Sequence, residues 1–322
     1  MPYDLNISVV VPLYNEEESL PELCNWISRV MQTHGFTYEI ILVDDGSSDT
    51  SWEVLSELSQ NNPNIKGIRF NRNFGKSAAL NTGFKKAKGE VVISMDADLQ
   101  DSPDEIPALY EMITAEKYHM VSGWKKKRHD PLGKTIPSKF FNRITRIISG
   151  IKLHDFNCGL KAYHNRVVKN IQIYGEMHRY IPVIAKWNGF YKIGEKVVEH
   201  RARKYGYTKF GFTRMVGLLD LLSITFVSKF KRKPMHFFGT LGTLSFFAGL
   251  IITMFIIGDK LYRLHYHLPV RDVTAQPLFF LALVALVIGV QLFLTGFLAE
   301  MMAMKSQSSN EYLVVEEIGI DK

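Results

Sequence analysis

Four short apolar segments, residues 7–12, 39–44, 65–70 and 91–96, recur at near-even spacing, with helical patterns at 17–33, 50–60 and 77–87 between them. No other feature constrains the fold as strongly. Apolar strands joined by crossovers long enough for a helix form βαβ units around a mostly parallel sheet. Three of the segments run into polar clusters: Pro12-Leu13-Tyr14-Asn15-Glu16, Asp44-Asp45-Gly46-Ser47 and Asp96-Ala97-Asp98-Leu99-Gln100. In an open α/β sheet the carboxyl ends of parallel strands share one edge, so distant residues build one pocket there. Helix capping accounts for part of this, since Ser48 or Asp49 is placed to cap the helix starting near Trp52. Three acidic strand ends exceed what caps require.

The third cluster carries the chemistry. Asp96 and Asp98 are two carboxylates one residue apart, where the apolar run Glu90-Val91-Val92-Ile93-Ser94-Met95 stops. Oxygen donors of this kind suit Mg²⁺ or Mn²⁺, which complete their shells with water and substrate phosphates. A cation held beside a diphosphate points to nucleotide chemistry. Asp-x-Asp alone occurs by chance in many loops, so its position at a strand end gives it weight.

The remainder of the chain has a different character. The stretch 235–258 contains no Asp, Glu, Lys or Arg, and neither does 277–299. At 1.5 Å per residue each spans about 35 Å as a helix, enough for a hydrocarbon core of about 30 Å. The linking stretch 259–276 is polar, which predicts a membrane hairpin with both ends on one face. Lys and Arg total 39 against 32 Asp and Glu, and Lys229, Lys231, Arg232 and Lys233 stand just before the first span. A basic cluster there favours an anionic membrane surface over nucleic acid and puts that face in the cytoplasm. No charged region followed by a long apolar stretch opens the chain, so no cleavable signal is expected and the N-terminal domain is expected in the cytosol. Two amphipathic stretches, 140–148 and 215–230, fit either the headgroup plane or packing within the protein.

Other features are less informative. Cys24 and Cys158 lack metal-ligand spacing and read as reduced, buried thiols. Gly75-Lys76-Ser77 imitates the end of a P-loop, but Phe70 stands where its first glycine belongs. No Gly-x-Gly-x-x-Gly follows the first segment, and His154, His164, His178 and His200 lack zinc spacing.

Taken in order, the motifs resemble the family 2 glycosyltransferases of the GT-A fold. The likeness is to the membrane-bound branch that includes dolichol-phosphate mannose synthase and bacterial polyprenyl-phosphate glucosyltransferases. It is carried by Val9-Val10-Val11-Pro12-Leu13-Tyr14-Asn15-Glu16-Glu17, Val43-Asp44-Asp45-Gly46-Ser47-Ser48-Asp49 and Asn73-Phe74-Gly75-Lys76. Asp96–Pro103, Asp155-Phe156-Asn157-Cys158-Gly159-Leu160 and Arg203–Phe210 continue it. The resemblance implies a GT-A domain at 1–212, a juxtamembrane segment at 213–233, a hairpin at 234–303 and a cytoplasmic tail at 304–322.

It also implies roles. Pro12, Tyr14, Glu16, Asp45 and Lys76 would hold a nucleotide-sugar donor, UDP- or GDP-linked. Asp96, Asp98 and Gln100 would place the Mg²⁺ or Mn²⁺. Arg128 and Arg203, with Lys204 and Lys209, would clamp the phosphate of a polyprenyl (undecaprenyl) acceptor, Arg in bidentate fashion. Asp155 is either a base or a structural residue of the Gly159 turn, and a phosphate monoester already largely dianionic at neutral pH needs little deprotonation. The implied activity is inverting transfer of one sugar at the cytoplasmic membrane, with homo-oligomerisation left open. Two alternatives stand beside it. A processive polysaccharide synthase usually carries Gln-x-x-Arg-Trp and more spans, and this chain shows neither. A catalytically inactive sugar-nucleotide sensor would not need intact acidic strand ends. The sequence departs from the branch at Asp101-Ser102-Pro103, where relatives often have two prolines, and at Ala299-Glu300-Met301-Met302-Ala303, which lacks the usual Tyr and Arg.

Overall fold

The computed structural model describes residues 3–126, 142–201, 204–205, 234–270 and 272–306. They fall into two compact units, one within Met1–Leu222 and one within Ser223–Lys322. Arg128, Arg203, Lys209, the 215–230 stretch and the basic cluster before Pro234 lie outside the described residues.

The first unit begins β1 (Leu5–Leu13), α1 (Leu20–Thr33), β2 (Tyr38–Asp44), α2 (Ser51–Asn61), β3 (Ile65–Arg69), α3 (Lys76–Lys86) and β4 (Gly89–Ser94). These match the four expected strands and three expected helices, with shifted ends. Pro21 sits in the first turn of α1, a position that costs no helical hydrogen bond, and the helix starts at Leu20 rather than 17. β4 stops at Ser94, so Asp96 lies just beyond the strand rather than at its last position. α2 has Thr50 before its first residue, and Asp49 caps by accepting from Ser51 N at 3.0 Å while Glu17 accepts from Thr50 N at 2.8 Å. Ser48 takes no part in that cap and bonds Asn15 instead.

Three further strands complete the sheet: β5 (Met120–Trp124), β6 (Lys161–His164) and β7 (Ile193–Val197), with α4 (Ile106–Thr114) ahead of β5. The order is β3-β2-β1-β4-β6-β5-β7. The β1–β2, β2–β3, β1–β4 and β5–β7 pairs are parallel, while β6 runs antiparallel to β4 and β5. The sheet is therefore mixed but mostly parallel. Val9, Val10 and Val11 of β1 have no exposed surface, as expected of a central strand covered on both faces. α1 buries Leu20, Leu23, Cys24, Ile27 and Met31, the spacing of one helical face, which places Cys24 in the core as its pattern predicts.

Chain direction reverses about the β1/β4 pair: β2 and β3 extend the sheet to one side, and β6 begins the other. That is the topological switch point, where an open α/β sheet leaves a crevice outside its carboxyl ends. The register sets Val10 opposite Ser94 and Pro12 opposite Val43. The clusters after β1, β2 and β4 consequently stand along one edge.

The second unit is a helix pair, Pro234–His265 and Pro277–Ser306, and both helices are long and apolar enough to cross a membrane. The first continues to His265, shortening the linker expected at 259–276, because Asp259 and Arg263 pair across one turn at 2.8 Å. Leu244, Ile251, Met254 and Phe255 are each more than 60 % exposed, so the apolar surface faces outward rather than into a core. The helices meet through small residues: a Cβ on Gly289 would lie 2.6 Å from Phe246 N, and one on Gly242 2.7 Å from Gly289 O. Ser245 Oγ donates to Ala285 O at 2.9 Å across the same seam. Close backbone approach and an interhelical hydroxyl bond are how helices associate where lipid removes the hydrophobic drive.

Candidate active site at the carboxyl edge of the sheet

The β1 and β2 ends are interlocked by polar contacts. Asp44 is buried and accepts from Ser47 N at 2.8 Å and Ser47 Oγ at 2.5 Å. Ser47 Oγ in turn accepts from Asn15 N at 2.9 Å, and Ser51 Oγ accepts from Glu16 N at 2.8 Å. Asn15 has φ 53°, a left-handed conformation its short amide tolerates. Gly46 has φ 74°, and a Cβ on it would lie 2.5 Å from the Arg72 carbonyl carbon, so only glycine fits between the two loops. Gly46, Ser47, Arg69, Phe70 and Asn71 line an open cleft of about 350 Å³ here.

Asp45 binds the loop that leads into α3. Its Oδ1 accepts from Phe74 N at 2.7 Å and its Oδ2 from Gly75 N at 2.9 Å. Burial pushes its carboxyl above the usual range, against the pull of those two amides. Each carboxylate oxygen keeps a further lone pair, so the contacts leave room for a ligand donor. The loop Asp45 anchors delivers Lys76, the first residue of α3, to the end of β4.

At that end Lys76 Nζ is ion-paired with Asp96 Oδ1. Burial raises the Asp96 carboxyl, but the charge of Lys76, joined by Lys125 and Lys161, overcomes it and lowers the group to about 2. Asp98 is 9 % exposed and its Oδ1 accepts from Gln100 N at 3.2 Å, a tight turn that sets Leu99 at φ 60°. A leucine there costs of order 1–3 kcal/mol, strain of the kind that collects at functional sites. Gln100 O accepts from Arg201 N at 2.9 Å, and Asp101 bridges to His200, so the chain after β7 runs alongside this loop.

The floor of the site adds two lysines the sequence did not mark, Lys125 and Lys161, to the motif residues Asp101, Cys158 and Gly159. Asp101 is buried and ion-paired with Lys125 at 2.7 Å. Burial depresses the Lys125 ammonium, and Asp101 more than restores it, so Lys125 is held as an interior cation. Lys161, 4 % exposed, donates to the Cys158 carbonyl, and burial lowers its affinity for a proton. Cys158 is pushed up to about 12 by burial and is inert as a nucleophile. Gly159 is wedged against the acidic pair: a Cβ on it would lie 2.5 Å from Asp96 Oδ2 and 3.0 Å from Asp101 Oδ2. Ser94 Oγ ties that turn to β4 by donating to Gly159 O at 3.0 Å.

Asp155 is 1 % exposed; its Oδ1 accepts from Asn157 N at 3.0 Å, and its own N–H donates to Glu195 Oε1 at 3.0 Å. His178 stands beside Lys76, with its Nδ1 3.1 Å from Ser77 Oγ and its N–H donating to that oxygen at 3.0 Å. Arg201 pairs with Glu199 at 3.4 Å, and its guanidinium lies over the Trp26 ring at 4.4 Å. Lys204 pairs with Glu22 at 2.6 Å. The structure thus brings Pro12, Tyr14, Glu16, Asp45, Lys76, Asp96, Asp98, Gln100 and Asp155 to one edge of the sheet. Arg128 and Arg203 lie outside the described residues.

Two carboxylates and a carboxamide are hard oxygen donors, and that set fits Mg²⁺ or Mn²⁺ better than zinc. Among the described residues no three His, Cys, Asp or Glu side chains converge as a ready-made cage. A cation here would take its remaining ligands from phosphate and water, which is how Mg²⁺ is usually held.

Comparison with known proteins gives concordant findings. A family profile described as "Glycosyl transferase family 2" matches residues 8–172. A dodecaprenyl-phosphate galacturonate synthase of Rhizobium johnstonii is 35% identical over 317 residues, 96% of this chain and 92% of that protein. An undecaprenyl-phosphate 4-deoxy-4-formamido-L-arabinose transferase of Pectobacterium carotovorum is 36% identical over 260 residues, 80% of this chain and 77% of that one. Among solved structures, mannosyl-3-phosphoglycerate synthase from Rubrobacter xylanophilus superposes with TM-score 0.58 at 12% identity, covering 70% of this chain and 75% of its own. Glucosyl-3-phosphoglycerate synthase from Mycobacterium tuberculosis, solved with Mn²⁺ and UDP-glucose, superposes with TM-score 0.53 at 18% identity, covering 70% and 79%. These two show the shared fold.

Proposed function

The chain belongs to glycosyl transferase family 2 and is a glycosyltransferase, and from that premise we propose that it moves one sugar from a nucleotide-sugar to a membrane polyprenyl phosphate. The observation that carries this reading is the pairing, in one chain, of an acidic strand-end site with two outward-apolar helices. The relatives support the acceptor, because both are named for a polyprenyl phosphate and one of them matches 96% of the chain, hairpin included. The donor class is supported by the fold neighbour solved with UDP-glucose.

In this reading the β1 and β2 ends with Asp45 receive the nucleoside, and Asp96, Asp98 and Gln100 hold a divalent cation on the diphosphate. When bound, that cation offsets negative charge developing on the departing nucleoside diphosphate. Lys76, at the head of α3, adds a positive charge beside the same phosphates. Asp155 acts as the structural residue of the 155–159 turn, since its carboxylate is buried and engaged with Asn157. An acceptor phosphate that is already dianionic needs positioning more than deprotonation, and Arg128 and Arg203 are the groups proposed to position it. Inversion follows from a single displacement without a second nucleophile. The hairpin is proposed to cross the cytoplasmic membrane with both ends cytosolic.

The test is a panel. Purified full-length chain in vesicles containing undecaprenyl phosphate and Mn²⁺ is supplied with radiolabelled UDP- and GDP-sugars. One of them should label a lipid that releases its sugar in mild acid. Donor hydrolysis without any labelled lipid would overturn the acceptor assignment.

A further inference from the structure

We propose that Lys76 holds the position on Asp96 that the divalent cation takes, so that cation and nucleoside diphosphate bind as a linked pair rather than independently. This rests on the reading of Asp96 and Asp98 as cation ligands and goes beyond it, because it assigns Lys76 a coupling role.

The two oxygens of Asp96 have different neighbours. Oδ2 is backed by Gly159, where a Cβ would sit only 2.5 Å away. Oδ1 is the oxygen that Lys76 Nζ occupies. The Lys76 and Asp96 side chains are 22% and 31% exposed, so the pair lies at the mouth of the site, where ligands arrive, and not in the sealed floor. The neighbouring pair, Lys125 with Asp101, is shut away by contrast, at 13% and 0%.

Charge makes the exchange conditional. Lys125 and Lys161 already lie close enough to Asp96 to influence it. Lys76 also opens α3, whose first turn has no acidic residue, so the positive end of the helix dipole points the same way. A dication arriving alone would expel the ammonium from Oδ1 and leave it among like charges with no partner. A diphosphate arriving with the cation supplies that partner: the ammonium moves from carboxylate to phosphate as the cation takes its place. Each ligand therefore strengthens the other, by the same factor from either side.

The test uses detergent-purified full-length chain and measures Mn²⁺ binding by the EPR signal of the free ion, alone and with UDP or, in a parallel arm, GDP. In the unmodified chain Mn²⁺ alone should bind weakly and one of the nucleotides should tighten it strongly. Lys76→Met should bind Mn²⁺ alone about tenfold more tightly, while the enhancement by nucleotide shrinks by a similar factor. Lys76→Arg, which keeps the charge, should behave like the unmodified chain. Unchanged Mn²⁺ affinity in Lys76→Met, or an unchanged enhancement, would overturn the coupling role and leave the cation site standing. Asp98→Asn distinguishes the deeper failure: if it binds Mn²⁺ with nucleotide as well as the unmodified chain does, the cation is not on these carboxylates and both readings fall.

Discussion

The two edges of the sheet each hold a carboxylate paired with lysine, and they use it differently. At the amino edge Glu39 is 2% exposed and accepts from Ser8 Oγ at 2.6 Å, Lys88 N at 2.7 Å and Lys66 Nζ at 2.5 Å. Burial raises its carboxyl and these donors more than reverse that, leaving it below the usual range. Its three partners are all parts of the sheet or of the turn into β4, and the arrangement is closed. At the carboxyl edge Asp96 also has its lysine, but the pair is part-exposed, its loop carries Leu99 at φ 60°, and a glycine backs its second oxygen. The contrast teaches that a carboxylate–lysine ion pair is not a signature of function by itself. What separates the edges is strain and access: one carboxylate is finished by the fold, and the other is left for a ligand to finish.

The largest effect that sharpens this contrast is expected from Asp98→Asn. It should reduce turnover on the order of 10²-fold or more with the thermal midpoint unchanged, because charge stabilisation of the leaving diphosphate is lost. Full activity in excess EDTA would break the assignment. Gly159→Ala follows. Its new Cβ must displace the Asp96 carboxylate, and a misplacement of that size costs on the order of 10- to 100-fold in kcat. A structural glycine with no part in the site would leave kcat alone when the fold survives.

The amino edge should respond in the opposite sense. Glu39→Ala strands the Ser8 hydroxyl and leaves the Lys88 amide only its longer bond to Ser8 Oγ at 3.1 Å, and should cost about 2 kcal/mol of stability, read by denaturant unfolding, with donor KM unchanged. Little of that cost comes from Lys66, which is 47% exposed. A shift in donor KM would erase the distinction between the edges. The smallest effect concerns His178, whose imidazole burial holds well below 6.5. Below 6.5 the unfolded chain takes up a proton that the folded chain refuses, so stability falls as pH drops from 6.5 toward the folded value and is flat above 6.5. His178→Asn should reduce that slope by no more than about 1.4 kcal/mol per pH unit, the limit for one proton. Thermal midpoints at pH 7.5 and pH 5.5 check it.

What the chain announces and what it hides follow the same division. β1, β2 and β4 are apolar runs of Val, Ile and Leu that stop at carboxylates, so strands and site are legible together. β6 and β7 are hard to read because Lys161-Ala162-Tyr163-His164 and Ile193-Gly194-Glu195-Lys196-Val197 are short and carry charge, and β5, Met120-Val121-Ser122-Gly123-Trp124, is short and interrupted by Ser and Gly. Lys76 was readable within Asn73-Phe74-Gly75-Lys76, yet its partner Asp96 was not, since the contact crosses α3 and β4. Lys161 gave one usable signal: a lysine between Leu160 and Ala162 interrupts a buried run, and a charge kept there calls for a partner. The helix pair was legible from its uncharged runs alone, though the small-residue seam between Gly242 and Gly289 depends on a register that sequence spacing does not fix.

The central claim is that the carboxyl edge transfers a sugar to a lipid phosphate. The most direct measurement takes the donor identified by the panel and follows labelled sugar and released nucleotide together, in vesicles with and without undecaprenyl phosphate. The account predicts one lipid-linked sugar per nucleotide released, dependent on that lipid and lost in Asp98→Asn. Nucleotide release at the same rate without the lipid, and no sugar in the lipid fraction, would contradict it.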